Sequence, residues 1–152
     1  STLDRSSAAS DVYKRQVINS EMERINATLY SEKVNPPILH LEGNSYEFFT
    51  QDDTGTGIAY KGLVVYDLAI ASLTKLPILV HDSLILKQIS DEAVENILVR
   101  YMESGKQVII SLDKQDSYSK RTAEILEKQC VLHLAPNGRE LFGRAWSRQE
   151  TQ

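Results

Sequence analysis

The chain has 152 residues, 41% of them hydrophobic and 25% charged, with a formal net charge of −4. That length supports one domain with its own core, and the charge balance offers no basic footprint for coating a nucleic acid. No apolar run approaches transmembrane length and no cationic stretch leads into an apolar one as in a signal peptide, while the single cysteine, Cys130, excludes an internal disulfide and fits a reducing, cytoplasmic compartment.

Ser6 to Gln16 spell SSAASDVYKRQ, a word similar over its whole length to the in-frame translation of a transposon-based sequencing adapter. Residues 1–16 are therefore set apart from the native sequence, and the remainder is expected to be the C-terminal part of a longer chain. From Val17 to Lys33 the apolar residues Val17, Ile18, Met22, Ile25 and Leu29 recur in steps of three and four, which predicts one narrow helical stripe. The end of a coiled coil over residues 17–35 and a helix exposed by truncation both fit such a stripe.

Pro36-Pro37 stops that helix. ILHLEGNSYEFFTQ then alternates on either side of Gly43-Asn44 and predicts a hairpin. DDTGTG, Asp52 to Gly57, is a loop, and a helix follows from Ile58 to Lys75. Between Gly62 and Leu73 only Tyr66, Asp67 and Ser72 interrupt the apolar character, so this helix belongs between layers. LPILVHDS, residues 76–83, holds a buried strand that ends at Asp82. Ser90 is a suitable N-cap for the next helix, with Asp91 and Glu92 in its first turn. Val94, Ile97, Leu98, Tyr101 and Met102 form its stripe, and Gly105 stops it. QVIISL (107–112) is a second buried strand closed by Asp113, a helix runs from about Ser119 to Gln129, and CVLHLA supplies a third strand. Asn137-Gly138 turns the chain into a last short strand near Leu141–Trp146. Strand, helix, strand, helix, strand with short loops predicts an α/β fold on a parallel sheet with right-handed crossovers. Ligands of such sheets sit at the carboxyl ends of the strands, where Asp82 and Asp113 both fall.

Two glycines one residue apart, immediately before a long helix, let the backbone approach an anion beside free N–H groups. Thr54-Gly55-Thr56-Gly57 fits neither G-x-G-x-x-G nor G-x-x-x-x-G-K-[ST], and a tight turn with Thr56 as N-cap is the plainer alternative. An acid after a buried strand is a common way to hold Mg²⁺ through water beside a phosphate, or simply to cap a turn; Ser83 could orient water or cap in the same way. Lys61 could reach a phosphate from the first turn of its helix, or be solvated. No His or Cys pair has metal-ligand spacing, so His81 is expected as a packed neighbour of the acid and His133 as a strand-face residue, with Trp146 and the tyrosines in packing roles.

Taken in order, the glycine loop, long buried helix, apolar strand with Asp82, helix and QVIISL strand resemble the C-terminal half of ABC-type ATPases of the SMC and RecN kind. GTGIAYKGLVVYDLAIASLTKLPILVHDS and PNGRELFGRAW are similar to the bacterial YydD-type family, coiled-coil ATPases whose C-terminal region is a domain of unknown function. The resemblance covers about Ile18 to Trp146. It implies that residues 36–152 form the C-terminal lobe of a P-loop ATPase head. Thr54, Gly55, Thr56 and Gly57 would occupy the signature loop that reaches the γ-phosphate on a partner head, with Lys61 nearby. Asp82 would take the Walker B position and hold Mg²⁺ through water. The implied cofactors are ATP and Mg²⁺. The implied partners are the chain's own N-terminal lobe, a second head and, by analogy with the family, DNA, with no membrane. The sequence departs from the pattern in three places: TGTG replaces a serine-glycine-glycine core, Ser83 stands where the catalytic glutamate follows, and Asp113 or Lys114 lies near the switch histidine. Serine is no general base at neutral pH unaided, so hydrolysis would be slow or would draw on Asp53 or Asp113, and this chain alone is expected to be inactive. Two other classes fit the same residues. One is a metal-dependent nuclease or phosphotransferase using Asp82, Asp113 and Asp116; the other is a non-catalytic head used for dimerisation.

Overall fold

A computed structural model of the chain describes residues 2–112, 118–132, 134 and 139. It divides into two units, Ser1–Tyr118 and Ser119–Gln152. The first contains α1 (Thr2–Asn26), β1 (Pro37–Glu42), β2 (Ser45–Thr50), α2 (Thr56–Leu73), β3 (Ile78–His81), α3 (Ser83–Leu86), α4 (Asp91–Glu103) and β4 (Gln107–Ile110); the second contains α5 (Lys120–Gln129). The fold is mixed α/β with small sheets.

Of the expected stripe, Met22 and Ile25 of α1 and Leu29 just beyond its end are buried, while Val17 and Ile18 are half-buried, and α1 packs on α2 and β1. The helix ends at Asn26, short of the expected Lys33. At that point the chain finds tertiary partners. Asn26 donates to the Val34 carbonyl at 2.7 Å, Asn96 donates to the Leu29 carbonyl at 3.0 Å, and Glu92 accepts from the Ser31 amide at 2.7 Å. These bonds satisfy backbone groups that a longer helix would have paired internally.

β1 and β2 form the expected antiparallel hairpin, with Leu39 opposite Phe48 and Leu41 opposite Tyr46. Gly43 has φ +57° and is the only one of the two turn residues in the left-handed region, the pattern of a type II′ turn. Phe48 packs edge-on against Tyr66 of α2, with ring centroids 5.7 Å apart. Asn19 of α1 grips the outer edge of β1: its amide donates to the Leu39 carbonyl and accepts from the Leu39 amide, both at 2.9 Å. A side-chain amide thus takes the place of a neighbouring strand.

Val64, Val65, Leu68, Ala69 and Ala71 of α2 are buried, but Leu63 and Leu73 are not. The helix is therefore covered on one broad side, by α1, the hairpin, β3 and α3, rather than enclosed between layers. By length and composition alone α2 is long and apolar enough to cross a membrane, more than its sequence suggested; here its buried side forms the centre of the core.

From α2 the chain enters β3, crosses over through α3 and α4, and returns as β4 parallel to β3, with Val80 opposite Ile109. Ser90 caps α4, its Oγ accepting from the Ala93 amide at 3.4 Å. Ala93, Val94, Ile97, Leu98 and Tyr101 are buried while Met102 is 45% exposed, so Ala93 takes the place that the expected stripe gave to Met102. The parallel sheet has two strands among the described residues. In the second unit α5 lies close to its expected bounds, and the structure makes Ser119 its N-cap, with Oγ accepting from the Thr122 amide at 3.3 Å. Of the expected third strand, Cys130, Val131, Leu132 and Leu134 are described and lie in no ladder; His133, the Asn137-Gly138 turn and the strand near 141–146 lie outside the described residues.

Candidate functional site

Asp82 stands where the sequence placed it, directly after β3 at its carboxyl end. The side chain caps the one-turn helix α3: Oδ1 accepts from the Leu84 amide at 3.2 Å and from the Ser83 hydroxyl at 3.1 Å. Asp82 is exposed and Ser83 buried. The capping alternative is thus realised, and Ser83 serves the same cap. Asp113 and Asp116 lie outside the described residues, and among the described residues no group of three or more His, Cys, Asp or Glu is placed to hold a metal.

The two-glycine bend is exposed at Thr54, Gly55 and Thr56. Gly55, not Thr56, is the N-cap of α2, and no side-chain oxygen closes the first turn. Asp53 bends back so that its Oδ1 accepts from the Gly55 amide at 2.9 Å. Gly57 has a different purpose: a Cβ there would lie 2.4 Å from the Gln88 carbonyl oxygen. Only glycine lets the first turn of α2 approach the backbone that follows α3. Gln88 is six residues beyond Asp82, roughly 9 Å of helical rise. The bend and the acid therefore lie on opposite ends of α3.

Lys61 is not a solvated or phosphate-reaching residue. It is fully buried, with Nζ donating to Asn26 Oδ1 at 2.7 Å and to the Asn35 carbonyl at 3.2 Å, and lying 5.7 Å from the centre of the Tyr30 ring. Burial pushes the ammonium down to about 8, partly opposed by the charge of Asp53. Its acceptors are neutral, so the side chain closes the 26–35 segment onto α2 instead of presenting a charge to a ligand.

The polar cluster that the structure assembles is a different one. His81, the last residue of β3, is 3% exposed. Its Nε2 lies 2.8 Å from Asp67 Oδ2 on α2, and its Nδ1 lies 2.5 Å from Tyr101 Oη on α4. Burial, and secondarily the charge of Asp67, raise the Tyr101 phenol well above its ordinary value, so the hydroxyl keeps its proton and is able to donate to Nδ1. Nε2–H then donates to Asp67. His81 is a packed histidine as expected, but its acid is Asp67 across the core, not the adjacent Asp82. The available signal was the isolated Asp67 within an apolar helix; nothing local to Tyr101 distinguished it from a packing residue. A shallow depression lined by Gln16, Val17, Ser20, Glu21, Arg24 and Leu73 lies along α1, with neither acid in its wall.

Residues 23–146 match a family described as uncharacterised proteins conserved in bacteria (DUF2326). The chain belongs to this family. The match begins inside α1 and takes in the bend, the β3–α3–α4–β4 crossover and the His81 cluster. No curated protein and no solved structure matches the chain.

Proposed function

We propose that this chain is the C-terminal lobe of an SMC- or RecN-like ATPase head of the YydD type, which binds ATP between two heads and acts, by family analogy, on DNA. The observation that carries the proposal is the succession of an exposed, side-chain-uncapped two-glycine bend, a long core helix, and a parallel strand with an exposed carboxylate at its carboxyl end. Anions bind at such helix starts and nucleotides at such strand ends. The separation of bend from acid by the length of α3 agrees with a bend that serves the partner head's nucleotide. A single exposed carboxylate fits Mg²⁺ held through its water shell, since the remaining ligands of such an ion come from waters and phosphates.

The outer side of the small sheet supports a further layer. Ile78, Val80 and Ile109 share that face and are 40%, 63% and 50% exposed, and parallel sheets are ordinarily covered on both faces. In a complete head the N-terminal lobe would supply that cover. A second reading, a non-catalytic dimerisation head, draws support from the use of Asp82 and Ser83 in one another's hydrogen bonds. Nothing in the described geometry favours a nuclease.

The test is Asp82→Asn in the gene product that joins this chain to an upstream phosphate-cradling loop. Asparagine caps a helix as well as aspartate does, so folding stays constant while the charge that would face magnesium disappears. Loss of ATP turnover, or of ATP-driven dimerisation, in the variant supports the ATPase head. Equal ATP-driven dimerisation of both proteins without turnover supports the non-catalytic head. A gene whose reading frame holds no G-x-x-x-x-G-K-[ST] loop overturns both.

A further inference from the structure

Asp82 caps α3 and directly follows the buried His81 in the chain. His81 is held from four directions: by Asp67 of α2 at Nε2, by Tyr101 of α4 at Nδ1, by the Ser111 amide donating to its carbonyl at 3.2 Å, and by the β4 ladder. Its ring lies tilted 31° to that of Tyr101, with centroids 5.6 Å apart. We propose that His81 is the positioning residue for Asp82, and that the Asp67–His81 hydrogen bond transmits the placement of α2 to the acid at the tip of β3. The proposal rests on Asp82 being the acid that faces nucleotide-bound magnesium.

The geometry gives the link its direction. α2 starts at the two-glycine bend, and Asp67 lies eleven residues along it from Thr56, roughly 16 Å away on a rigid rod. Whatever moves the bend moves Asp67 with it. Asp67 Oδ2 then pulls on an imidazole that cannot give way elsewhere, because its second nitrogen is occupied by Tyr101 and its backbone by β4. One peptide bond further on is Asp82. A half-exposed carboxylate, with 47% of its side chain accessible, is thus tied to an enclosed histidine beside the candidate metal-facing acid, as carboxylates orient histidines behind metal centres. The bond partners also fix one tautomer, with the proton on Nε2.

Asp67→Ala is the decisive variant, since Asp67 is half exposed and alanine favours the helix, so the fold persists. Tyr101→Phe is the second, keeping the ring and removing the hydroxyl. In this chain, the imidazole nitrogen resonances of His81 should show a protonated Nε2 and an unprotonated Nδ1 in the wild type, and tautomer averaging in Asp67→Ala. Unchanged nitrogen resonances in Asp67→Ala overturn the proposed bond. In the gene product carrying the phosphate-cradling loop, Asp67→Ala should lower kcat for ATP about 10- to 100-fold with KM unchanged, and Asp67→Glu should restore part of the loss. If the wild type hydrolyses ATP and Asp67→Ala matches it, the positioning role is overturned and the ATPase head stands. A wild type that neither hydrolyses ATP nor dimerises with it overturns both.

Discussion

Lys61→Met probes the least expected feature of the core, a fully buried lysine whose acceptors are neutral. The side chain keeps its length and loses its charge and donors. In the wild type the ammonium titrates at about 8 instead of the ordinary 10.5, because burial strips its water. Between those values the unfolded chain still binds the proton that the folded chain has released, so stability rises with pH. Integrated from pH 7 to pH 10, the gain is about 2.5 kcal/mol. Methionine has no such gain. It is relieved of the burial cost at neutral pH, about 3 kcal/mol, but leaves the buried Asn26 Oδ1 without its donor at every pH, at a cost of about 1–3 kcal/mol. The variant should therefore equal or exceed the wild type at pH 7 and fall behind it progressively towards pH 10. Urea unfolding of both proteins at pH 7, 8, 9 and 10 measures the difference directly, with the tyrosines common to both cancelling. A stability difference that stays constant within about 0.5 kcal/mol over that range would refute the buried ammonium.

Two glycines of α2 should respond oppositely to alanine. Gly57→Ala drives a Cβ to 2.4 Å from the Gln88 carbonyl oxygen and should cost about 1–3 kcal/mol. Gly62→Ala meets only Phe48 and Pro37 side-chain atoms at 3.4 Å, and should be neutral or stabilising by up to about 1 kcal/mol through helix propensity. Thermal denaturation gives the order, and a Gly62→Ala protein weaker than Gly57→Ala contradicts the packing described. Asn19→Ala removes both bonds to Leu39 and should destabilise by about 1–2 kcal/mol, with Asn19→Asp, which keeps the acceptor alone, falling between. An Asn19→Ala chain as stable as the wild type would mean that α1 does not clasp the edge of β1.

What could be read along the chain was whatever has a short period or a local cap. The hairpin about Gly43-Asn44, the Ser90 cap and the stop at Gly105 rest on residues within a few positions of one another, and each appears as the sequence predicts, as does the β3–α4–β4 crossover that the order of apolar runs announced. The acid after β3 was legible for the same reason. Its capping bond to Leu84 reaches only two residues ahead.

Tertiary structure alone decided the remainder. Lys61 meets Asn26 across 35 residues, and His81 meets Asp67 across 14 and Tyr101 across 20. A lysine near the start of a helix carries no local mark of burial, because its environment is set by what folds over it. The early end of α1 at Asn26 and the need for glycine at position 57 have the same origin: carbonyls and amides brought from elsewhere in the chain compete with the local helix or crowd it. Periodicity reports which face of an element is apolar; only packing settles which polar groups that face must satisfy.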